Sequence, residues 1–137
     1  MIGSDLERVG DLSRNIAESS SRLTLRPGLC LEPELVALAR GTQRLLRKAL
    51  DSFTASDADQ AREVLEEDDH IDHEEERLVS LALEEIQARP QSSAQAVETI
   101  LIAKNLERVA DHATNIAEDV ILIAEARNVK HAVKLGS

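Results

Sequence analysis

The sequence predicts an all-α fold, an antiparallel helix bundle of four helices, and three observations carry that prediction. Glycine (5) and proline (3) are scarce among 137 residues while Ala, Leu, Glu and Arg dominate, a balance that favours helix over strand. Apolar residues recur in alternating steps of three and four along the longest segments, the spacing of a buried helix stripe. Caps and breakers divide the chain into long pieces with short connections, which is how antiparallel neighbours in a bundle are joined. A chain of this size is expected to make one domain, residues 1–137, with one core and no room for a second.

The first helix is expected from about Ser4 to about Arg22, fading in LTLRPGLCLEP, where Pro27, Gly28 and Pro33 punctuate a loop. The second begins at Pro33, whose fixed φ and missing N–H suit a first helical position, and continues to about Thr54. Asp57 with Gln60 three residues on forms a capping box for the third, which runs to about Ala88 before Arg89 and Pro90 break it. A second box, Ser92 with Gln95, opens the fourth, which continues to about Arg127. At 1.5 Å per residue the last two helices are roughly 45 to 55 Å long.

The fourth helix carries a seam at Ile102, Leu106, Val109, Ala113, Ile116, Val120 and Ile123. The first carries its counterpart one hundred residues earlier, at Ile2, Leu6, Val9, Ser13, Ile16, Ser20 and Leu23. The strings around these seams, NLERVADHATNIAE at 105–118 and DLERVGDLSRNIAE at 5–18, agree at nine of fourteen positions. The two helices are therefore equivalent parts of an internal repeat. Only the second copy is preceded by two further helices, so residues 1–26 read as the last helix of a truncated first repeat and residues 32–127 as a complete second one. The lone first helix must still bury its apolar side, either on the three helices that follow or on a second chain.

In both copies Glu, Asp and Asn stand four residues apart: Glu7, Asp11 and Asn15, then Glu107, Asp111 and Asn115. On a helix these stack one turn above another, away from the seam. A merely wetted face has no reason to keep that order while its neighbours drift, as Leu12 and His112 or Arg14 and Thr114 have done. The third helix adds an anomaly: Asp68, Asp72 and Glu75 fall in or beside the apolar face of Val64, Ile71, Leu78, Val79, Ala82 and Ile86. An ionised carboxylate there costs several kcal/mol unless it is paired or bound to a cation. Salt bridges to Arg8, Arg77 or Arg108 are one solution; a set of hard oxygen ligands, Asp68 and Asp72 with Glu76 a turn further on, is the other. Such oxygen-only sets suit Mg²⁺, Mn²⁺, Ca²⁺ or ferric iron rather than Zn²⁺. The histidines, His70, His73, His112 and His131, are expected at the surface or rim.

Several classes of function are disfavoured. Acidic residues outnumber basic ones 26 to 16 and Phe53 is the only aromatic, so the chain offers neither a positive field for nucleic acid nor rings for bases to stack on. Apolar runs stop at ILIA and VILIA, far short of the roughly 20 residues that span a bilayer, and MIGSDLER does not read as a signal peptide. A soluble, intracellular protein is expected, and the single Cys30 fits a reducing compartment. No nucleophile elbow or phosphate loop is present. The one E-x-x-H, Glu67 with His70, has no second copy, and a ferritin-like di-iron site needs two.

The doubled L-E-R-V-x-D-x-x-x-N-I-A-E, with REVLEEDDHID at 62–72 and KALDSFTASDADQA at 48–61, resembles the PhoU family, the phosphate-uptake regulators of bacteria and archaea. The two copies look like the last helices of that family's two three-helix repeats, and the resemblance covers nearly the whole chain. It implies acidic motifs that bind metal clusters on the bundle surface. By matching position these fall on Glu7 and Asp11, on Asp68 and Asp72, and on Glu107 and Asp111, and extend to Asn15, Asn115 and Glu76. It further implies a cytoplasmic, non-enzymatic negative regulator of phosphate-starvation signalling that links a phosphate ABC transporter to a sensor histidine kinase. The cofactor would be iron, manganese or magnesium ions; the protein would be a homo-oligomer, simplest as a homodimer, and peripheral to the membrane at most. A metal-independent helical scaffold and a metal-storage or oxidase bundle are the rival expectations.

Overall fold

Local signals set most helix boundaries. The Gln60 amide donates to Asp57 Oδ1 at 3.1 Å, so the capping box starts the third helix as expected. Pro33 lies in the first turn of the second helix. That helix ends at Ser56, whose φ of 52° is left-handed, with Asp57 N–H donating to the Ser52 carbonyl at 2.8 Å. This is a Schellman-type stop made without glycine. Pro90 opens a 3-10 turn that ends at Ser92, and the last helix begins at Ser93, the residue after the expected cap, its Oγ donating to the Pro90 carbonyl at 2.6 Å.

The computed structural model describes residues 2–24 and 31–136, as four helices: α1 (Ile2–Thr24), α2 (Glu32–Ala55), α3 (Ala58–Ala88) and α4 (Ser93–Gly136). The chain is all-α, with no strand among the described residues. Pro27, Gly28 and Cys30, expected in the loop after the first helix, lie outside the described residues. The end expected near Arg127 is corrected: α4 continues to Gly136. No Gly or Pro stands between Arg127 and Gly136 to stop it, and Lys134 in the last turn complements the helix dipole.

Helices α2, α3 and α4 pack on one another, whereas α1 packs on α4 and on no other described helix. The core lies between the first three. Leu38, Leu45, Leu78 and Ile116 are fully buried, each worth about 1.5–3 kcal/mol relative to exposure. Ala103, Ala110, Ala113 and Ala117 are buried along α4, small side chains that let neighbouring helices approach. Gly41 does the same on α2, because a Cβ there would stand 2.9 Å from Ile71 Cδ1.

The expected seam on α4 is buried from Ile102 to Val120, but Ile123 is exposed. On α1 the expectation fails in part. The buried residues are Asp5, Leu12 and Ser19, flanked by half-buried Ile2, Val9, Ile16 and Leu23, while Leu6 is 44% exposed and Ser13 is exposed. The physical reason is the number of neighbours: a helix touching one partner buries a single narrow line. The expected alternative in which α1 packs on all three following helices therefore does not form.

Candidate metal centre

The contact between α3 and α4 is antiparallel, and one ion pair fixes its register. Glu75, only 1% exposed, has Oε1 2.9 Å from Lys104 Nζ. The distance makes an ion pair, although the angle lies outside directed hydrogen-bond geometry. Continuing from that level, Asp72 comes beside Glu107 and Asp68 beside Asp111, one carboxylate on each helix at each step. Glu75 is thus answered by a lysine, not by the expected arginines. Lys104 also reaches Glu107 at 3.5 Å, so it closes one end of an acidic ladder.

The electrostatics of the ladder are those of unneutralised negative charge. Burial, then the carboxylates of Asp72, Asp111, Asp69 and Glu107, push the Asp68 carboxyl up to about 6 from 3.8. Burial, then Glu107, Asp111, Asp69 and Glu76, raise Asp72 as well. Burial and then Glu107 raise Asp111, against a lowering influence from His112. Asp68 Oδ1 is buried and accepts no hydrogen bond. A buried carboxylate oxygen among like charges is costly; uptake of a proton relieves it, as the raised Asp68 value expresses, and a bound cation would do the same. By donor chemistry the four carboxylates fit a hard metal ion. Among the described residues, no three His, Cys, Asp or Glu side chains converge closely enough to hold an ion as they stand, so holding one would require the carboxylates to draw closer together.

The expected ligands therefore divide. Asp68, Asp72, Glu107 and Asp111 are brought together, and Glu76 acts on Asp72 as a further nearby charge. Glu7, Asp11 and Asn15 are exposed on α1, which has no contact with α3. Asn115 lies on the α1 side of α4, where its Nδ2 donates to Asp5 Oδ1 at 3.4 Å. His112 is half-buried there, its Nδ1 2.7 Å from the same oxygen. The buried Asp5 and its two partners were not foreseen. The sequence signal was a charged residue seven before Leu12, which is itself seven before Ser19, on one line of the helix. Asp69, a contributor to the charge on both Asp68 and Asp72, was also missed beside its neighbour.

The E-x-x-H pair serves other ends. Glu67 accepts from Lys48 Nζ at 2.8 Å, and His70 Nε2 lies 2.7 Å from Glu74 Oε1. Both line a groove of about 470 Å³ with Gly41, Arg44 and Ile71, on the α2–α3 side and apart from the ladder.

The PhoU domain family model matches residues 35–120, the stretch that holds the ladder. The chain is 37% identical over 131 residues to the phosphate-specific transport system accessory protein PhoU homolog 1 of Thermotoga maritima, covering 95% of this chain and 56% of that protein. It is 34% identical over 122 residues to the PhoU homolog of Xylella fastidiosa strain 9a5c, covering 89% and 52%. With the PhoU homolog of Pseudomonas aeruginosa it shares 30% over 134 residues, 93% of this chain and 53% of the relative. The chain thus spans about half the length of the curated relatives it matches.

Proposed function

Because the chain belongs to the PhoU domain family, we propose that it is an accessory regulator of phosphate uptake whose α3–α4 carboxylates hold metal ions. The observation that carries this reading is the buried, unpartnered Asp68 Oδ1 inside a cluster of like charges. In the proposed mechanism Asp68 and Asp72 supply oxygens from α3, and Glu107 and Asp111 from α4. A bound iron, manganese or magnesium ion would supply compensating positive charge at the bundle surface. The helices hold the carboxylates in fixed register; Lys104, 2.9 Å from Glu75, also reaches Glu107 at 3.5 Å, so a metal ion would compete with the lysine for Glu107 and meet no such partner at Asp68 among the described residues. With its charge offset, this face can receive anionic groups of a partner.

The partners proposed are the relatives' phosphate transport system and, beyond it, a sensor histidine kinase whose starvation response the protein restrains; the site of action is the cytoplasm. None of the described helices is long and apolar enough to cross a membrane, which agrees with a partner-bound accessory role. No residue is assigned a catalytic part.

Titration of the chelator-treated protein with Mg²⁺, Mn²⁺ and ferric iron, followed by calorimetry and metal analysis, tests the reading. Saturable binding lost in Asp68→Asn and Asp111→Asn supports it. Absence of binding to all three ions makes the acidic ladder a solvated surface and the protein a metal-independent scaffold.

A further inference from the structure

The acidic ladder ends on a cation of the chain's own. Lys104 Nζ stands 2.9 Å from Glu75 Oε1 on α3 and 3.5 Å from Glu107 Oε2 on α4, between one carboxylate from each helix. The carboxylate beneath it is the most enclosed of the set: Glu75 is 1% exposed, and its Oε1 accepts no directed hydrogen bond. An ionised group so buried is costly without a positive charge beside it. The lysine that supplies the charge lies half in solvent, its side chain 50% exposed, on a flexible stem whose ammonium is strongly hydrated once it leaves. Lys48 is the contrasting case. It too bridges two carboxylates, Glu63 at 2.7 Å and Glu67 at 2.8 Å, but these are 56% and 51% exposed, so water can solvate them in its absence.

Resting on the metal-binding reading above, we propose that Lys104 stands in for a metal ion: it is a tethered cation that closes the Glu75–Glu107 level and so limits how many ions the ladder holds. The ammonium and a hard cation meet the same demand at a buried carboxylate, that of positive charge against its oxygens. They differ in permanence. The lysine is covalently part of α4 and cannot be stripped by a chelator, so Glu75 keeps its counter-charge, and the contact between α3 and α4 its register, before any ion arrives. Removing the ammonium leaves two carboxylate oxygens from opposite helices facing one vacated position, one of them already enclosed by protein. Such a pair, with water completing the shell, suits Mg²⁺, Mn²⁺ or ferric iron. Lys104 is therefore a residue that sets the number of bound ions without ligating one.

The test is metal content after titration of chelator-treated protein with Mg²⁺, Mn²⁺ and ferric iron, compared among wild type, Lys104→Met, Lys104→Met/Glu75→Gln and Lys48→Met. Lys104→Met is expected to hold one ion more than wild type, and the other two variants the same number as wild type. In chelator Lys104→Met should melt below wild type, because Glu75 is buried without its counter-charge, and metal should raise its Tm by more. An equal count in wild type and Lys104→Met overturns the proposal while the metal-binding reading stands. So does an extra ion in Lys48→Met, which would make it a response to net charge, or in the double variant, which would place it away from Glu75. If Lys104→Met is unfolded in chelator, recovery of its helical circular dichroism on adding metal supports the proposal, and failure to recover overturns it. An ion bound by Lys104→Met when wild type binds none supports the role of the lysine and sinks only the reading of the wild-type ladder; no ion in either protein overturns both.

Discussion

The same fourteen-residue pattern meets two different fates in α1 and α4. On α4 the seam residues Leu106, Val109, Ala113, Ile116 and Val120 are all buried, whereas on α1 Leu6 and Ser13 are exposed and Val9, Ile16 and Ser20 are half-buried. The acidic residues diverge in parallel. Glu107 and Asp111 interact with Asp68 and Asp72 across a helix contact; Glu7 and Asp11 are exposed on a helix that packs on α4 alone among the described helices and has no contact with α3. A repeated string therefore encodes a helix with an apolar side and an acidic side, and the neighbours decide which side becomes core and which becomes a site.

The largest expected effect breaks the comparison at equivalent isoleucines. Ile116→Ala empties a fully buried position and should cost about 2–5 kcal/mol, while Ile16→Ala, on the half-covered copy, should cost about 1 kcal/mol. Urea unfolding of both variants measures the difference, and equal losses would mean that α1 is covered in solution.

A smaller effect is expected at the contact between the copies. His112→Ala removes the shorter of the two side-chain contacts that the buried Asp5 makes among the described residues, leaving the 3.4 Å contact to Asn115, a loss of about 1–3 kcal/mol. Hydrogen exchange should show α1 amides losing protection first, with α2 and α3 little changed. The Asp5→Leu/His112→Leu double variant, which restores an apolar match like Leu12, should recover most of that protection.

Asp68 sharpens the comparison through pH. Its folded value of about 6 lies above the ordinary 3.8, so the folded state binds the extra proton between about pH 4 and 6. Without metal, its contribution to stability is therefore greatest at the low end and falls as pH rises through about 6. Asp68→Asn should be more stable than wild type in chelator at pH 7, by about 1–2 kcal/mol after allowance for solvent screening, and the advantage should vanish near pH 4. An Asp68 engaged in a salt bridge would give the opposite sign. Metal should raise the wild-type Tm at pH 7 and leave the variant's unmoved.

The smallest effect is a null one. Glu7→Gln/Asp11→Asn should leave metal stoichiometry in the single chain unchanged, whereas Glu107→Gln/Asp111→Asn should reduce it. Equal reductions would place the first copy of the motif in a site as well.

Much of the architecture was legible because its causes are local. Scarce glycine and proline, the Asp57 cap and the three-four spacing of Ile102 to Val120 are each read from a few adjacent residues, and helix formation depends on little else. The pairing of Asp68 and Asp72 with Glu107 and Asp111 was half legible: acidic residues on apolar helix faces announced a conflict, but the register that resolves it hangs on Glu75 and Lys104, distant in sequence. The pairing of Asp5 with His112, more than one hundred residues apart, is not written in either segment alone, although the line of Asp5, Leu12 and Ser19 marks the buried side of α1; the continuation of α4 beyond Arg127 was legible in the absence of Gly and Pro up to Gly136.

By itself the sequence determined four helices, an apolar line on each, and an acidic motif written twice, since backbone propensity and side-chain period act over a turn or two. Tertiary structure alone decided that the carboxylates of one copy of the motif face those of α3 and the carboxylates of the other do not. Burial and charge proximity depend on which surfaces meet, and that is a property of the assembled helices, not of any one of them.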